Sequence, residues 1–525
     1  MTSTVSDTHP AGENSAEDHP DDSRWVDVLI VGAGISGIDA AYRIQQRNPA
    51  LSYTIIERRA RIGGTWDLFR YPGVRSDSSI FTLGFPFEPW TRPEGVADGA
   101  HIREYISATA RKYGIDTNIR FNSRLLAADW DSATDSWTAT VEADGGTTMY
   151  RCRFLFFGSG YYDYDTGYTP DFPGIDTFGG TVVHPQHWPE SLDYSGKRVV
   201  VIGSGATAVT LVPSMAGRAA TVTMLQRSPT YLMAGAKYSR LMAVIRALLP
   251  RRAAHHVART YNALFEAVLV PFSKKAPGIM RAVLRHQAIT RLPDGYPVDV
   301  HFKPRYNPWD QRMCLIPDGD LYDAVNRGQA EVVTDEIAEF DSHGIRLASG
   351  RHLDADIVVT ATGLQLQALG GATLRVDGVA IDPSDRFVYK AHMLEDVPNL
   401  FWCVGYTAAS WTLRADITAR ATAKLIAHMA EHGYTHAYPH RGDTTMASKP
   451  TWDINANYVL RSPHALPKSG TRRPWNVRQA YLPDAVDYHL GRIAESMVFG
   501  RATARRAGQA GGRPGGALGA SRRET

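Results

Sequence analysis

Cysteine is scarce in this chain. Cys152, Cys314 and Cys403 are the three among 525 residues, far apart and odd in number. That pattern argues against a disulfide framework, so a reducing compartment is the expectation. No apolar run approaches the roughly 18 residues that span a bilayer. The N-terminus is polar and acidic where a secretory signal would be basic and then apolar. Charge of one sign is also missing: 57 Lys and Arg against 54 Asp and Glu leave a net +3, which gives no reason to expect nucleic acid as a partner. The expected location is therefore cytoplasmic.

What is present is a chain that is 43% hydrophobic and long enough for two or three cores. Residues 1–24, rich in Asp, Glu, Ser, Thr and Pro, read as a disordered tail. Residues 500–525, rich in Gly, Ala and Arg, read the same way. Between them, short Val/Ile/Leu runs alternate with helical patterns, which predicts an α/β chain with parallel sheets.

Two strand-to-helix units carry glycine fingerprints. The first is Val28-Leu-Ile-Val-Gly32-Ala-Gly34-Ile-Ser36-Gly37, with Glu57 ending the next apolar run 20 positions after Gly37. Glycines there let the backbone turn tightly and approach a pyrophosphate, and the helix N-terminus offers free N–H groups to it. An acid at the second strand accepts hydrogen bonds from ribose hydroxyls and repels a 2′-phosphate, so this site suits FAD or NAD. Gly63-Gly64-Thr65-Trp66-Asp67-Leu68 follows closely and is placed to line a flavin.

The second fingerprint is Gly203-Ser204-Gly205-Ala206-Thr207-Ala208, after the apolar run Val199–Ile202. Gln226 and Arg227 end its next strand, where the first unit has its acid. A guanidinium grips a 2′-phosphate with paired hydrogen bonds, so this site suits NADPH. The strand running to Ala361-Thr-Gly363 ends in small residues that can pass beside a bound dinucleotide. One acidic and one basic site in a single chain predict a flavoprotein reduced by NADPH.

Between the two sites stands Phe178-Gly-Gly180-Thr-Val-Val-His184-Pro-Gln-His187-Trp188-Pro189. This string fits the F-x-G-x-x-x-H-x-x-x-W-P signature, and with it the chain resembles the type I Baeyer–Villiger monooxygenases. The resemblance runs from Trp25 to about Val498 and includes residues 63–77, 184–193, 307–314 and 405–416. It implies an FAD-dependent, NADPH-consuming enzyme that inserts one atom of O2 beside a ketone carbonyl, giving an ester or lactone. The implied route passes through a peroxyflavin and a tetrahedral intermediate, both stabilised by Arg312, with Asp77 positioning that arginine. Oxygenation of thioethers or thioamides is implied as a further capability.

The resemblance also implies FAD contacts at Ser36, Glu57, Gly64 to Leu68, Arg75, Asp77 and the backbone of Leu125. Gly203 to Ala208, Gln226 and Arg227 are the implied NADP contacts. His184 is implied to be a linker element coupling rotation of the NADPH domain to catalysis, not a base. Trp188 and His187 are expected as packed structure, and His255 and His256 as solvent-facing. One departure stands at Gln311, where many relatives carry lysine beside the catalytic arginine.

The expected organisation is two Rossmann-like, dinucleotide-binding domains with a helical insertion. The FAD-binding domain takes residues 25–170 and 384–499, and the NADPH-binding domain takes 171–236 and 306–383. Residues 237–305 form the insertion. Its stretch 237–291 carries eleven Lys and Arg against Glu266 alone. Two readings stand: a face that touches a membrane or an acidic partner, and a solvated face balanced elsewhere. Two other functions share features of this chain. A sulfur- or nitrogen-oxidising flavin monooxygenase has every cofactor motif, with Trp188 and Arg312 arguing against it. A disulfide reductase needs a C-x-x-C, which is absent.

Overall fold

A computed structural model describes residues 24–311, 313–452, 454–462 and 464–501. Apart from Arg24, Gly500 and Arg501, the two expected tails lie outside these residues, as does Arg312.

The apolar run Arg24–Val31 forms the central strand of the first sheet. It pairs in parallel with Tyr53–Ile56 on one side and with Gly146–Phe157 on the other. Ile119–Arg120 and Leu400–Trp402 extend the parallel part. Val28, Leu29 and Ile30 are fully buried, as expected where helices or further layers cover both faces of a parallel sheet. An antiparallel meander, Ser123–Asp131 to Ser136–Ala143 to Gly146–Phe157, widens the sheet to one side.

The second sheet has five parallel strands in the order Ala330–Thr334, Thr221–Gln226, Arg198–Ile202, Ile357–Thr360, Thr181–Val183. Each sheet thus places one glycine fingerprint at the carboxyl end of a central parallel strand. Such strand ends are where open α/β sheets hold their ligands.

One expected boundary shifts. Thr373–Val376 and Val379–Ile381 were assigned with the NADPH-binding residues up to 383, yet they join the first sheet beside Ala127–Trp130. Leu374 and Ile381 bury themselves in the core that holds Leu125 and Ala128. The chain crosses back earlier, through Leu364–Leu366, which runs antiparallel to the outgoing segment Tyr162–Gly167. Short strands without a fingerprint carry no sequence signal of which sheet they join.

Helix Ile35–Arg47 packs against Trp411–His432, and Arg43 donates to Asp416 Oδ1 at 2.6 and 2.8 Å between them. Residues 237–305 do form helices, namely Arg240–Leu248, Arg251–Lys275 and Pro277–Arg291. His256 is exposed as expected, but His255 is buried and donates Nε2–H to the Phe85 carbonyl at 3.0 Å. Burial, aided by nearby Arg259, depresses the His255 pKa to about 4. Its neighbours on the helix, Ala254, Ala258 and Arg259, face the same interior.

Candidate active site

Backbone geometry explains the first fingerprint. Gly32 has φ +102°, and a Cβ there would lie 2.7 Å from the Gly158 carbonyl oxygen. A Cβ on Gly37 would sit 1.8 Å from the Gly32 carbonyl oxygen. Only glycine fits at either place. The helix that follows begins at Gly34 with no side-chain cap, so its first-turn N–H groups remain for a ligand. Glu57 is buried and its carboxylate is fixed by the N–H groups of Ala33 at 2.7 Å and Arg59 at 2.9 Å. Burial raises its pKa despite those bonds. Further lone pairs on each oxygen are available to ribose hydroxyls. These features fit an adenine dinucleotide.

A cavity of about 650 Å³ starts at this fingerprint. Gly32, Gly34, Ser36 and Glu57 border it, then Gly64, Thr65 and Trp66, with Asp77 and Leu125 further along. Gly64 has φ +55° and brings its Cα close to Gly34, so the second loop seals the first. Trp309 and Met313, on either side of position 312, border the same cavity, while Arg312 itself lies outside the described residues.

Not every expected flavin contact faces this space. Leu68 is buried beneath its short helix. The Asp67 carboxylate is held by Arg59 Nε at 2.8 Å and by Arg70, with Arg103 at 3.7 Å, so it clamps the loop from behind. Arg75 pairs with Asp320 at 2.5 Å, bridging to a helix beside the second sheet.

At the second fingerprint, Gly203 has φ +136° and a Cβ there would come within 2.4 Å of the Ala361 carbonyl oxygen. That contact explains the small residues after strand Ile357–Thr360. Ser204 Oγ donates to the Ser228 carbonyl at 3.1 Å. Gly205 and Ala206 are exposed, and a Cβ on Gly205 would meet nothing within 4 Å. Helix Ala206–Met215 also lacks a side-chain cap, while Ala208 is buried against the sheet. Thr207 is hydrogen-bonded to Tyr71, whose hydroxyl burial pushes up to about 12. Gln226 is turned inward and donates to the His301 carbonyl at 2.8 Å and to Thr334 Oγ1 at 2.9 Å. Arg227 is exposed at the strand end.

The signature string lies where the two sheets are joined. Thr181–Val183 is the edge strand of the second sheet. His184 accepts the Gln186 N–H at Nδ1 and donates Nε2–H to the Gly363 carbonyl, each at 3.2 Å. Partial burial lowers its pKa, so it stays neutral in this bridge between the connecting segments. Trp188 is buried and His187 exposed.

Two features were invisible in the sequence. Glu266, noticed only as the lone acid of its stretch, reaches the cavity from the insertion. It accepts from Thr82 Oγ1 at 3.0 Å and from Ser410 N at 3.1 Å, and burial raises its pKa. Trp411 donates its indole N–H to Ser36 Oγ at 2.9 Å and stacks on Tyr161. Neither carries a local spacing signal, because both partners lie far away in the chain. The cysteines are buried in separate places, and burial pushes Cys152 and Cys403 up to about 12, which leaves them no thiolate character at neutral pH.

Residues 29–279 match the family described as pyridine nucleotide-disulphide oxidoreductase. The solved structure of an oxidized steroid monooxygenase bound to NADP superposes with a TM-score of 0.73 at 21% identity, covering 91% of this chain and 100% of that one. A cyclohexanone monooxygenase from Rhodococcus sp. Phi1 bound to NADP+ gives 0.66 at 19% identity, over 80% and 87% of the two chains. At such identities these likenesses establish the fold. FAD-containing monooxygenase EthA of Mycolicibacterium smegmatis is 50% identical over 473 residues, spanning 90% of this chain and 96% of that protein. With that identity over nearly the whole length, and a first nucleotide site built to fit, the chain belongs to the FAD-containing monooxygenases.

Proposed function

We propose that the protein is an NADPH-consuming monooxygenase of the Baeyer–Villiger type. Ketone, O2, NADPH and a proton give ester or lactone, NADP+ and water, one oxygen atom entering between the carbonyl carbon and its neighbour. The observation that carries this reading is the course of one cavity, from Gly32 and Glu57 to Trp309 and Met313. The segment holding Arg312 thereby borders the same space as the nucleotide elements. The structurally similar steroid and cyclohexanone monooxygenases are named for ketone-bearing substrates, which supports the reading.

FAD held at the first fingerprint supplies the hydride-accepting and oxygen-activating chemistry. The chain's own residues divide the remaining work. Glu57 binds the ribose, and the first turn of helix Ile35–Arg47 takes the pyrophosphate. Arg227 and the first turn of helix Ala206–Met215 bind the two phosphate groups of NADPH. Aromatic and apolar walls, among them Tyr161, Phe265 and Met313, exclude water from the reacting end. Arg312 is the catalytic residue: its guanidinium stays protonated and donates to negative oxygen that develops during the reaction. Asp77, exposed to the cavity, positions it. The same donor serves oxygen transfer to thioethers or thioamides, and the basic helical insertion contacts a membrane surface peripherally.

The test is NADPH oxidation and product mass spectrometry across a panel of ketones and sulfides under 18O2. Substrate-stimulated NADPH loss with one 18O in an ester is the expected result. Oxygenated sulfides or amines with every ketone untouched would instead assign a sulfur- or nitrogen-oxidising enzyme.

A further inference from the structure

No helix among the described residues is long and apolar enough to cross a membrane. The insertion nevertheless carries apolar side chains on its outside. In helix Arg251–Lys275, Val257, Tyr261, Leu264, Val268 and Phe272 are all exposed and recur at intervals of three or four, which puts them on one face. The opposite face, with Ala258, Arg259 and Ser273, is buried. The packing of this helix therefore does not account for the stripe.

Neighbouring helices repeat the pattern. Leu241, Val244 and Leu248 are exposed on Arg240–Leu248, and Ile279 and Val283 on Pro277–Arg291. Leu482, Val486 and Leu490 are exposed on Tyr481–Leu490. All three helices pack beside Arg251–Lys275. Leu248 is 76% exposed, Val268 67% and Leu490 81%. Soluble surfaces rarely present so many large apolar groups on adjoining elements without a partner.

Charge selects the partner. Of the eleven cations at 237–291, Arg259 is buried on the carbonyls of Phe81, Thr82 and Gly84. Lys237 pairs with Asp98, and Arg285 with Asp299. Arg246 and Arg291 donate to backbone carbonyls. Arg240, Arg251, Arg252, Lys274, Lys275 and Arg281 are exposed, with no carboxylate partner among the described residues. Glu266 points inward to the cavity. A second copy meeting this face across a two-fold axis would set cation against cation. An anionic bilayer satisfies both features, taking the apolar side chains into its interface and the cations at its headgroups.

One helix joins this face to the cavity. Tyr261 and Phe265 are 46% and 51% exposed, and both also border the cavity. Their rings lie near parallel at 12°, with centroids 6.4 Å apart. Asn262, Glu266 and Leu269, on the inward side of the same helix, border the cavity beneath them.

We propose that this face docks on an anionic bilayer and that the cavity draws its substrate from it past Tyr261 and Phe265. The substrate class is then a lipophilic ketone or sulfide that partitions into acyl chains. This inference rests on the monooxygenase reading for its chemistry, while the docking stands on the surface alone.

The experiment uses full-length, FAD-loaded protein with vesicles of phosphatidylglycerol or of phosphatidylcholine. Wild type is expected to sediment with the first and little with the second. A Leu264→Glu/Val268→Glu variant and a Lys274→Gln/Lys275→Gln variant should each partition at least about tenfold less. None of these four residues borders the cavity, so turnover of a short, water-soluble ketone should stay within about twofold. Turnover of a long-chain ketone dissolved in the vesicles should fall at least about tenfold in both variants. Equal partitioning of wild type and variants, or none by wild type, overturns the proposal. So does a wild-type dimer in sedimentation velocity that Leu264→Glu/Val268→Glu makes monomeric, which would assign the face to a second copy. If no ketone is oxygenated even in solution, the reaction assignment fails while vesicle partitioning still reports on docking.

Discussion

Trp411 donates its indole N–H to Ser36 Oγ over 2.9 Å. This bond ties the first residue of the long C-terminal helix to the first turn of the fingerprint helix, 375 positions earlier in the chain. Both residues border the cavity, and a Cβ on Gly405 would collide with the indole, so the ring is wedged in place.

Trp411→Phe keeps an aromatic ring against Tyr161 and removes only the N–H donor. A neutral hydrogen bond contributes about 0.5–1.5 kcal/mol net, which is about a two- to tenfold change in an equilibrium. FAD should bind that much more weakly, read as flavin absorbance per protein after desalting and as a Kd from titration of apoprotein. Unchanged FAD affinity would remove Ser36 and Trp411 from the flavin site.

Gly205→Ala isolates the ligand from the fold. The added methyl meets nothing within 4 Å in the protein, so Tm should stay within about a degree. A backbone that must approach a pyrophosphate closely cannot carry a side chain there. The KM for NADPH should rise at least about tenfold while FAD content is unchanged. A KM like wild type would show that NADPH does not lie on this turn.

Arg227→Ala tests the choice of nicotinamide cofactor. Losing a charge-assisted contact of about 1.5–3 kcal/mol should lower kcat/KM for NADPH by about 10- to 150-fold and leave NADH unaffected. Equal losses with both cofactors would contradict recognition of a 2′-phosphate at Arg227.

Acid should unfold the protein partly through two buried histidines. Burial holds both His255 and His392 at about 4, against 6.5 in an unfolded chain. Between these values the unfolded state binds more protons, so stability rises with pH through that window and is lost on acidification. Two such shifts amount to about 3 kcal/mol each at their limit. Tm should fall steeply from pH 7 to pH 5, and less steeply in His255→Gln/His392→Gln, whose side chains do not titrate. Parallel pH profiles for the two proteins would show that these histidines do not drive the loss.

Much of the nucleotide chemistry was readable because it depends on short spacings. Gly32, Gly37 and Gly203 are glycines for reasons of backbone contact that any sequence in this arrangement shares, and Glu57 stands at a fixed interval from them. The helical insertion was equally plain in its pattern. What stayed hidden depends on tertiary neighbours. Asp67 faces three arginines, Arg75 pairs with Asp320, and Gln226 turns to His301, none of which spacing can show. His255 looks like a surface residue in a basic stretch until Phe85 covers it. Thr373–Ile381 carries no mark of which sheet it joins.

The account centres on a guanidinium at position 312 acting on the oxygenated substrate in the cavity that begins at Glu57. The most direct measurement compares wild type and Arg312→Ala for FAD content, NADPH-driven flavin bleaching without oxygen, and ester formed per NADPH in air. Removal of one such donor costs about 3–4 kcal/mol of barrier, so ester formation should fall by about 100- to 1000-fold with the first two readouts intact. A normal ester yield from Arg312→Ala would contradict the account.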